Sequence, residues 1–300
     1  MIRPPLLQAG DRVALVAPAG KTEPAALQHF YDTMVAWGLQ VEVGKHLFAG
    51  SGYLAATDCQ RLADLQRAFD NPDIKAIFCA RGGYGSGRLL PALDYKSLLQ
   101  HPKWLIGFSD ITALLLALES KGLAAIHGPV GTTFAGAERQ VLQALYELLF
   151  KGSTRLQTTH ATIVREGEVQ APVTGGNLAL VTDSLATPAE IDTRGKILLL
   201  EEVGEPLYRI DRMLQQLKRA GRLAPLAGLL MGSFTEVPAD SPFDYSLPEI
   251  VAELTAEYNY PVVTDFPVGH VPANYPFVTG GLYTLTAGAG QVVLAGPESA

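Results

Sequence analysis

The sequence predicts an α/β fold in which a mostly parallel sheet carries helices on both faces, followed by a smaller, strand-rich second part. Three observations carry this. Short apolar strands alternate with helical periodicity through about residue 150. Glycine-containing turns follow the ends of two of those strands. Beyond residue 170, strand-like runs dominate.

Residues 11–17 read as a buried strand ending at Pro18-Ala19-Gly20. Residues 24–37 read as a helix closed by Gly38, and 39–43 as a second strand. In 57–69, Leu62, Leu65, Ala68 and Phe69 recur at helical spacing, and Asn71-Pro72 ends that helix. A third strand, 74–80, runs into the loop Arg81-Gly-Gly-Tyr-Gly-Ser-Gly87. A fourth, 104–107, runs into Phe108-Ser109-Asp110 and the helical stretch 111–118. Residues 137–150 read as a helix. Composition then turns polar, which places a linker at 151–170 between an N-terminal domain, 1–150, and a C-terminal domain, 171–300. Strands are expected at 196–201, 226–231 and 261–264, and a hairpin joins 282–286 to 291–294.

With 300 residues, 48% of them apolar, the chain can bury a core large enough for two domains. A net charge of −7 without a basic tract argues against nucleic acid or an anionic membrane as partner. Cys59 and Cys79 show no C-x-x-C spacing, so neither a zinc site nor a disulfide framework is expected, and Cys79 lies in an apolar run. The N-terminus lacks the basic start and long apolar stretch of a signal peptide, and no run approaches 18 apolar residues. A cytoplasmic protein is the expectation.

The chemistry centres on Ser109. A serine on a sharp strand-to-helix turn is lifted clear of the backbone beside free N–H groups that can hold an oxyanion. The hydrolase pattern G-x-S-x-G is met only in part, because Ile111 stands at the second glycine, and a helix cap is the competing reading. A serine nucleophile needs a base, oriented in turn by a carboxylate. Among six histidines, His29, His46, His101 and His160 fall in surface-like contexts. His127 follows an apolar strand, and His270 lies in a Gly- and Pro-rich stretch that can aim it, or that is simply a solvated loop. Carboxylates gather at Glu201, Glu202 and Glu205. Glu201 ends an apolar strand, where it needs a partner, but a one-residue slip of register puts Glu202 there instead. Asp110 could also orient a base, although its place beside Ser109 favours capping. The Gly83-Tyr-Gly-Ser-Gly87 run is not a dinucleotide fingerprint, and no phosphate loop or H-E-x-x-H occurs, so no cofactor and no metal are expected.

Several short runs, taken together, resemble the LD-carboxypeptidase family, the S66 serine peptidases. They are Val16-Ala-Pro-Ala-Gly20, Ala80-Arg-Gly-Gly-Tyr-Gly85, Gly107-Phe-Ser-Asp110, Gly175-Gly-Asn-Leu178, Leu199-Leu-Glu-Glu-Val-Gly-Glu-Pro206 with Tyr208-Arg-Ile-Asp-Arg212, and Gly269-His270. The resemblance implies a triad of Ser109, His270 and Glu201; the strand register keeps Glu202 as the other candidate acid. It implies an N-terminal domain like the class I glutamine amidotransferases and a smaller β-rich C-terminal domain. The implied activity is cytoplasmic hydrolysis of the L,D bond that frees terminal D-Ala from murein tetrapeptide in cell-wall recycling, and a homodimer. The backbone N–H groups of Gly83 and Asp110 are then the expected oxyanion donors. Arg81 and Arg209 are candidates for the substrate carboxylate, and Tyr84, Asn177 and Tyr275 for the cleft. A sister branch cleaves microcin C-type peptidyl-nucleotides, and the run through Arg212 looks more like the murein branch. A catalytically silent α/β protein that binds peptides is the alternative of a different class.

Overall fold

The structure, a computed structural model, describes residues 1–50, 52–238 and 243–297. The first half forms β1 (Arg12–Val16), α1 (Gln28–Ala36), β2 (Gln40–Val43), α2 (Asp58–Asp70), β3 (Ile74–Cys79), α3 (Lys96–Gln100), β4 (Trp104–Gly107), α4 (Thr112–Ser120), β5 (Ala125–His127) and α5 (Arg139–Phe150). Then come β6 (Thr154–Thr158), β7 (Thr162–Arg165), β8 (Gly167–Asn177), α6 (Leu178–Asp183), β9 (Ile197–Val203), α7 (Leu207–Arg219), β10 (Gly228–Thr235) and α8 (Leu247–Leu254). The last strands are β11 (Val262–Thr264), β12 (Phe277–Thr279), β13 (Leu282–Gly288) and β14 (Gln291–Gly296).

Local chemistry explains the best-defined elements. Thr57 caps α2 in a reciprocal capping box with Gln60, and Leu65, Ala68 and Phe69 form its buried stripe. In β3 all residues but Lys75 are buried, as expected of a strand covered on both faces. Helix α4 is apolar nearly all round because it is packed on both sides. Leu114, Leu115 and Leu118 join the core cluster of the first sheet, while Leu116 joins Leu178, Leu198 and Leu200 of the second.

The first sheet has the order β12-β5-β4-β3-β1-β2. Strands β1 to β5 are parallel, and β12 pairs antiparallel with β5. The order reverses between β1 and β3, so the loops leaving those two strands face each other across the crevice where α/β sheets bind ligands. The Gly20 N–H donates to the Gly82 carbonyl there, at 3.0 Å. The second sheet runs β6-β14-β13-β8-β9-β10-β11-β7, parallel in the middle from β8 to β11 and antiparallel toward both edges.

Residues 151–170, expected as a linker, are not one. They form β6, β7 and the start of β8, and β6 and β7 close the two edges of the second sheet. Edge strands face water on one side, so they are polar. In β6 only Leu156 is buried, which is why the composition reads as a connector. The C-terminal half also returns one strand, β12, to the first sheet.

Candidate active site

Ser109 stands at the carboxyl end of β4, on a single 3-10 turn (109–111) that leads into α4. Its φ is 63°, in the left-handed region that a non-glycine side chain rarely adopts. Residues held there cost of order 1–3 kcal/mol and persist only where the surroundings enforce them. The turn lifts Oγ toward His270, which follows β11 in a loop that runs on to β12. Ser109 Oγ lies 3.0 Å from His270 Nε2, and His270 Nδ1 lies 2.7 Å from Glu201 Oε2. Glu201 is on β9 and fully buried. Three residues far apart in sequence therefore form one continuous hydrogen-bonded chain.

Burial pulls the His270 imidazole down, but the hydrogen bond and charge of Glu201, with the charges of Glu202 and Glu236, outweigh it and raise its pKa above the ordinary 6.5. Glu202 points the other way from Glu201. Its carboxylate accepts from Asn177 Nδ2 and the Ala179 N–H, both at 2.8 Å, and from the Val203 N–H at 2.9 Å. Desolvation raises the Glu202 pKa in spite of those three donors.

The glycine-rich loop 81–87 lies against Ser109. A Cβ on Gly82 would come within 2.9 Å of Ser109 Cβ and 3.1 Å of Oγ, so only glycine allows this approach. Gly83 has φ +101° and is exposed. Asp110 is buried and does not reach His270. Its Oδ2 accepts from the Ser86 N–H at 2.8 Å, and its carbonyl accepts from Ser86 Oγ at 2.6 Å, which docks the loop on the nucleophile turn.

Two concavities flank this centre. One, of about 390 Å³, opens beside His270 and is lined by Phe108, Thr132, Thr133 and Asn274 among others. The larger, of about 800 Å³, runs between α4 and α6 and is bordered by Gly83, Tyr84 and Asp110.

The other expected contacts are placed unevenly. Arg81 is exposed and donates to the Lys21 carbonyl at 2.7 Å. Tyr84 is exposed on the rim of the larger groove. Asn177 is buried, and its side chain is taken up by Glu202 and the Leu180 N–H at the start of α6. Arg209 is exposed on α7 and pairs with Glu205 at 3.1 Å. Tyr275 donates to Gln140 of α5 at 2.7 Å and borders a separate groove with α5 and β6.

Sequence reading missed Ser86 and Thr112, whose hydroxyls tie this centre together; Thr112 Oγ1 accepts the Asn177 N–H at 3.1 Å. His127 is fully buried, stacked on Phe277 with centroids 4.8 Å apart, and burial pushes its pKa down to about 3, so it stays neutral. Among the described residues, no cluster of three or more His, Cys, Asp or Glu could hold a metal, and no helix is long and apolar enough to cross a membrane.

Family models match both halves of the chain. The LD-carboxypeptidase N-terminal domain matches residues 13–128, and the LD-carboxypeptidase C-terminal domain matches 170–285. The chain belongs to the LD-carboxypeptidase family. Within that family it is 38% identical over 275 residues to a probable murein peptide carboxypeptidase of Bacillus subtilis, covering 89% of this chain and 86% of the other. It is also 38% identical over 274 residues to the murein tetrapeptide carboxypeptidase of Pseudomonas aeruginosa, covering 88% and 89%. The solved muramoyltetrapeptide carboxypeptidase of Oxalobacter formigenes superposes with a TM-score of 0.85 at 29% identity, over 95% of this chain and 98% of that one. The LD-carboxypeptidase fold thus extends over nearly the whole molecule, with Ser109 in the part matched by the N-terminal model and Glu201 and His270 in the part matched by the C-terminal one.

Proposed function

We propose that this protein is a serine carboxypeptidase that hydrolyses the L,D bond before the terminal D-Ala of murein tetrapeptide, with Ser109 as nucleophile, His270 as general base and acid, and Glu201 as the orienting carboxylate. The observation that carries the reading is the chain from Ser109 Oγ to His270 Nε2 (3.0 Å) and from His270 Nδ1 to Glu201 Oε2 (2.7 Å). Names of relatives at 38% identity support the substrate class.

Ser109 Oγ attacks the peptide carbonyl carbon as His270 Nε2 takes its proton. The buried Glu201 carboxylate fixes the tautomer that presents Nε2 as acceptor, and it stabilises the imidazolium that forms. The carbonyl oxygen becomes an oxyanion held by the N–H groups of Gly83 and Asp110; losing one such donor costs about 3 kcal/mol in comparable enzymes. The C–N bond then breaks, and His270 returns its proton to the departing D-Ala amine. A water attacks the acyl-serine ester, His270 accepts its proton, and Ser109 regains one as the tripeptide acid leaves.

Arg81 and Tyr84 share the loop with Gly83, which supports them as substrate contacts, with Arg81 pairing with the terminal carboxylate. Asn177, Arg209 and Tyr275 are occupied by other partners, which argues against that role for them, whereas Arg81 is engaged only through Nη1, by the Lys21 carbonyl. A cytoplasmic homodimer is part of the same proposal, on the resemblance to the family alone.

The test is D-Ala release from purified murein tetrapeptide, wild type beside Ser109→Ala. Release by the wild type and none above background by a folded Ser109→Ala protein is the expected result. No release by folded wild type would overturn the reading, and peptidyl-nucleotide substrates would then be tried.

A further inference from the structure

Arg61, on α2, is almost completely buried, which is rare for arginine and costly unless every charge is answered. Its Nη1 donates to two backbone carbonyls, those of Pro18 and Gly85, the latter at 2.9 Å. Its Nη2 donates to Asp58 Oδ1 at 2.6 Å, and Asp58 also receives Arg88 Nε and Nη2 at 2.9 and 2.7 Å. A leucine would fill a position on the buried stripe of α2 at less cost. The guanidinium instead turns Nη1 onto the loops leaving β1 and β3, which face each other where the strand order reverses, while Nη2 meets Asp58 and the buried Nε has no partner among the described residues.

The loop it grips is loose by composition, with glycine at 82, 83, 85 and 87. Besides the Arg81 side chain's bond to the Lys21 carbonyl, three anchors hold its backbone. The Gly20 N–H holds the Gly82 carbonyl, Arg61 holds the Gly85 carbonyl, and Asp110 holds Ser86. Gly83 sits between the first anchor and the other two. Of the three, only Arg61 is a side chain from outside the crevice, and it fastens the loops of both strands at once.

We propose that Arg61 is a positioning residue for the oxyanion hole, holding the Gly83 N–H where the developing oxyanion needs it by clamping the Gly85 and Pro18 carbonyls. This rests on the reading of Gly83 as oxyanion donor given above. A donor displaced by a fraction of an ångström weakens transition-state binding and leaves ground-state binding nearly intact. Arg61→Lys keeps the charge but cannot reach two carbonyls and Asp58 together.

The experiment uses the full chain as wild type, Arg61→Lys and Asp58→Asn, with Arg12→Gln, an exposed residue far from the site, as control. Active sites are counted by titration with a fluorophosphonate, and kcat and KM for D-Ala release are measured per titrated site. The expected result for Arg61→Lys is a kcat about tenfold to a hundredfold lower, a KM within about twofold of wild type, and an unmoved acid limb of the pH profile, because the Glu201–His270 pair is untouched. The rate of Ser109 phosphonylation should fall in parallel, since that adduct also places an oxygen in the hole. A purely structural Arg61 would lower thermal stability and the number of titrated sites while leaving kcat per site unchanged, and that result overturns the proposal. If Arg61→Lys does not fold, Asp58→Asn decides. Several-fold loss of kcat per site is expected, and wild-type kcat overturns the proposal. A folded wild type inert to both tetrapeptide and fluorophosphonate overturns the function reading itself, and the role of Arg61 with it.

Discussion

Glu201 and Glu202 are adjacent and both buried, yet they serve different faces of β9, because a strand sends successive side chains to opposite sides. Glu201 meets His270, while Glu202 holds the start of α6. That division has a measurable consequence. The His270 pKa is raised, chiefly by Glu201 working against burial, so the acid limb of kcat/KM, where His270 loses its proton to become a base, is expected above the ordinary 6.5. In Glu201→Gln the charge is gone and desolvation remains, so that limb should move to lower pH while the plateau falls on the order of 10³- to 10⁴-fold. In Glu202→Gln the limb should move less and the plateau should survive in the folded fraction. A limb that stays put in Glu201→Gln and moves in Glu202→Gln would reverse the assignment. The linked stability has the matching sign: a raised histidine pKa contributes fully below its unfolded value and is lost as pH rises through the folded one. Sequence alone left these two glutamates open, since one residue of strand register exchanges them. Ser109 was legible because strand, turn and helix follow each other without a gap. Arg61 was not, because in a capped amphipathic helix an arginine reads as a surface residue.

Helix α4 is the element that fixes the geometry between the two sheets. Its first turn follows Ser109, and Thr112 accepts the N–H of Asn177, which lies opposite Glu201 in the β8–β9 ladder. At its other end Glu119 is mostly buried, paired with Lys196 at 2.7 Å and accepting from Thr174 Oγ1 at 2.7 Å. Removing one partner of such a pair strands the other charge. Glu119→Gln should therefore destabilise the protein by about 3 kcal/mol, and Lys196→Met in that background should recover much of the loss. Urea denaturation of the four proteins in the cycle checks this, and simple additivity would count against the pair. The helix itself was readable from its apolar run, and the all-round apolarity is the trace of its two packed sides. The edge strands β6 and β7 were not readable, because half of an edge strand looks like loop.

At the scale of the molecule, the chain builds the first sheet, passes to the second, and then sends β12 back to pair with β5. Phe277, Val278 and Thr279 register against His127, Ile126 and Ala125, and Thr279 Oγ1 bonds both the N–H and the carbonyl of Ala125. A fragment of residues 1–150 would leave β5, buried throughout in the whole protein, as an uncovered edge. It is expected to aggregate when expressed alone and to stay soluble when co-expressed with 151–300, and size-exclusion chromatography distinguishes the two. A monodisperse 1–150 fragment would show that β12 is dispensable to the first sheet.

The return of β12 also bears on ancestry. The loop bearing His270 is strung between a strand of one sheet and a strand of the other, so a single crossover near residue 150 would splice together a β5 and a β12 that had never been selected to fit. Separate family models match the two halves, yet the β5–β12 ladder joins them, so a hybrid that takes one half from a relative is expected to lose stability unless both strands come from the same parent.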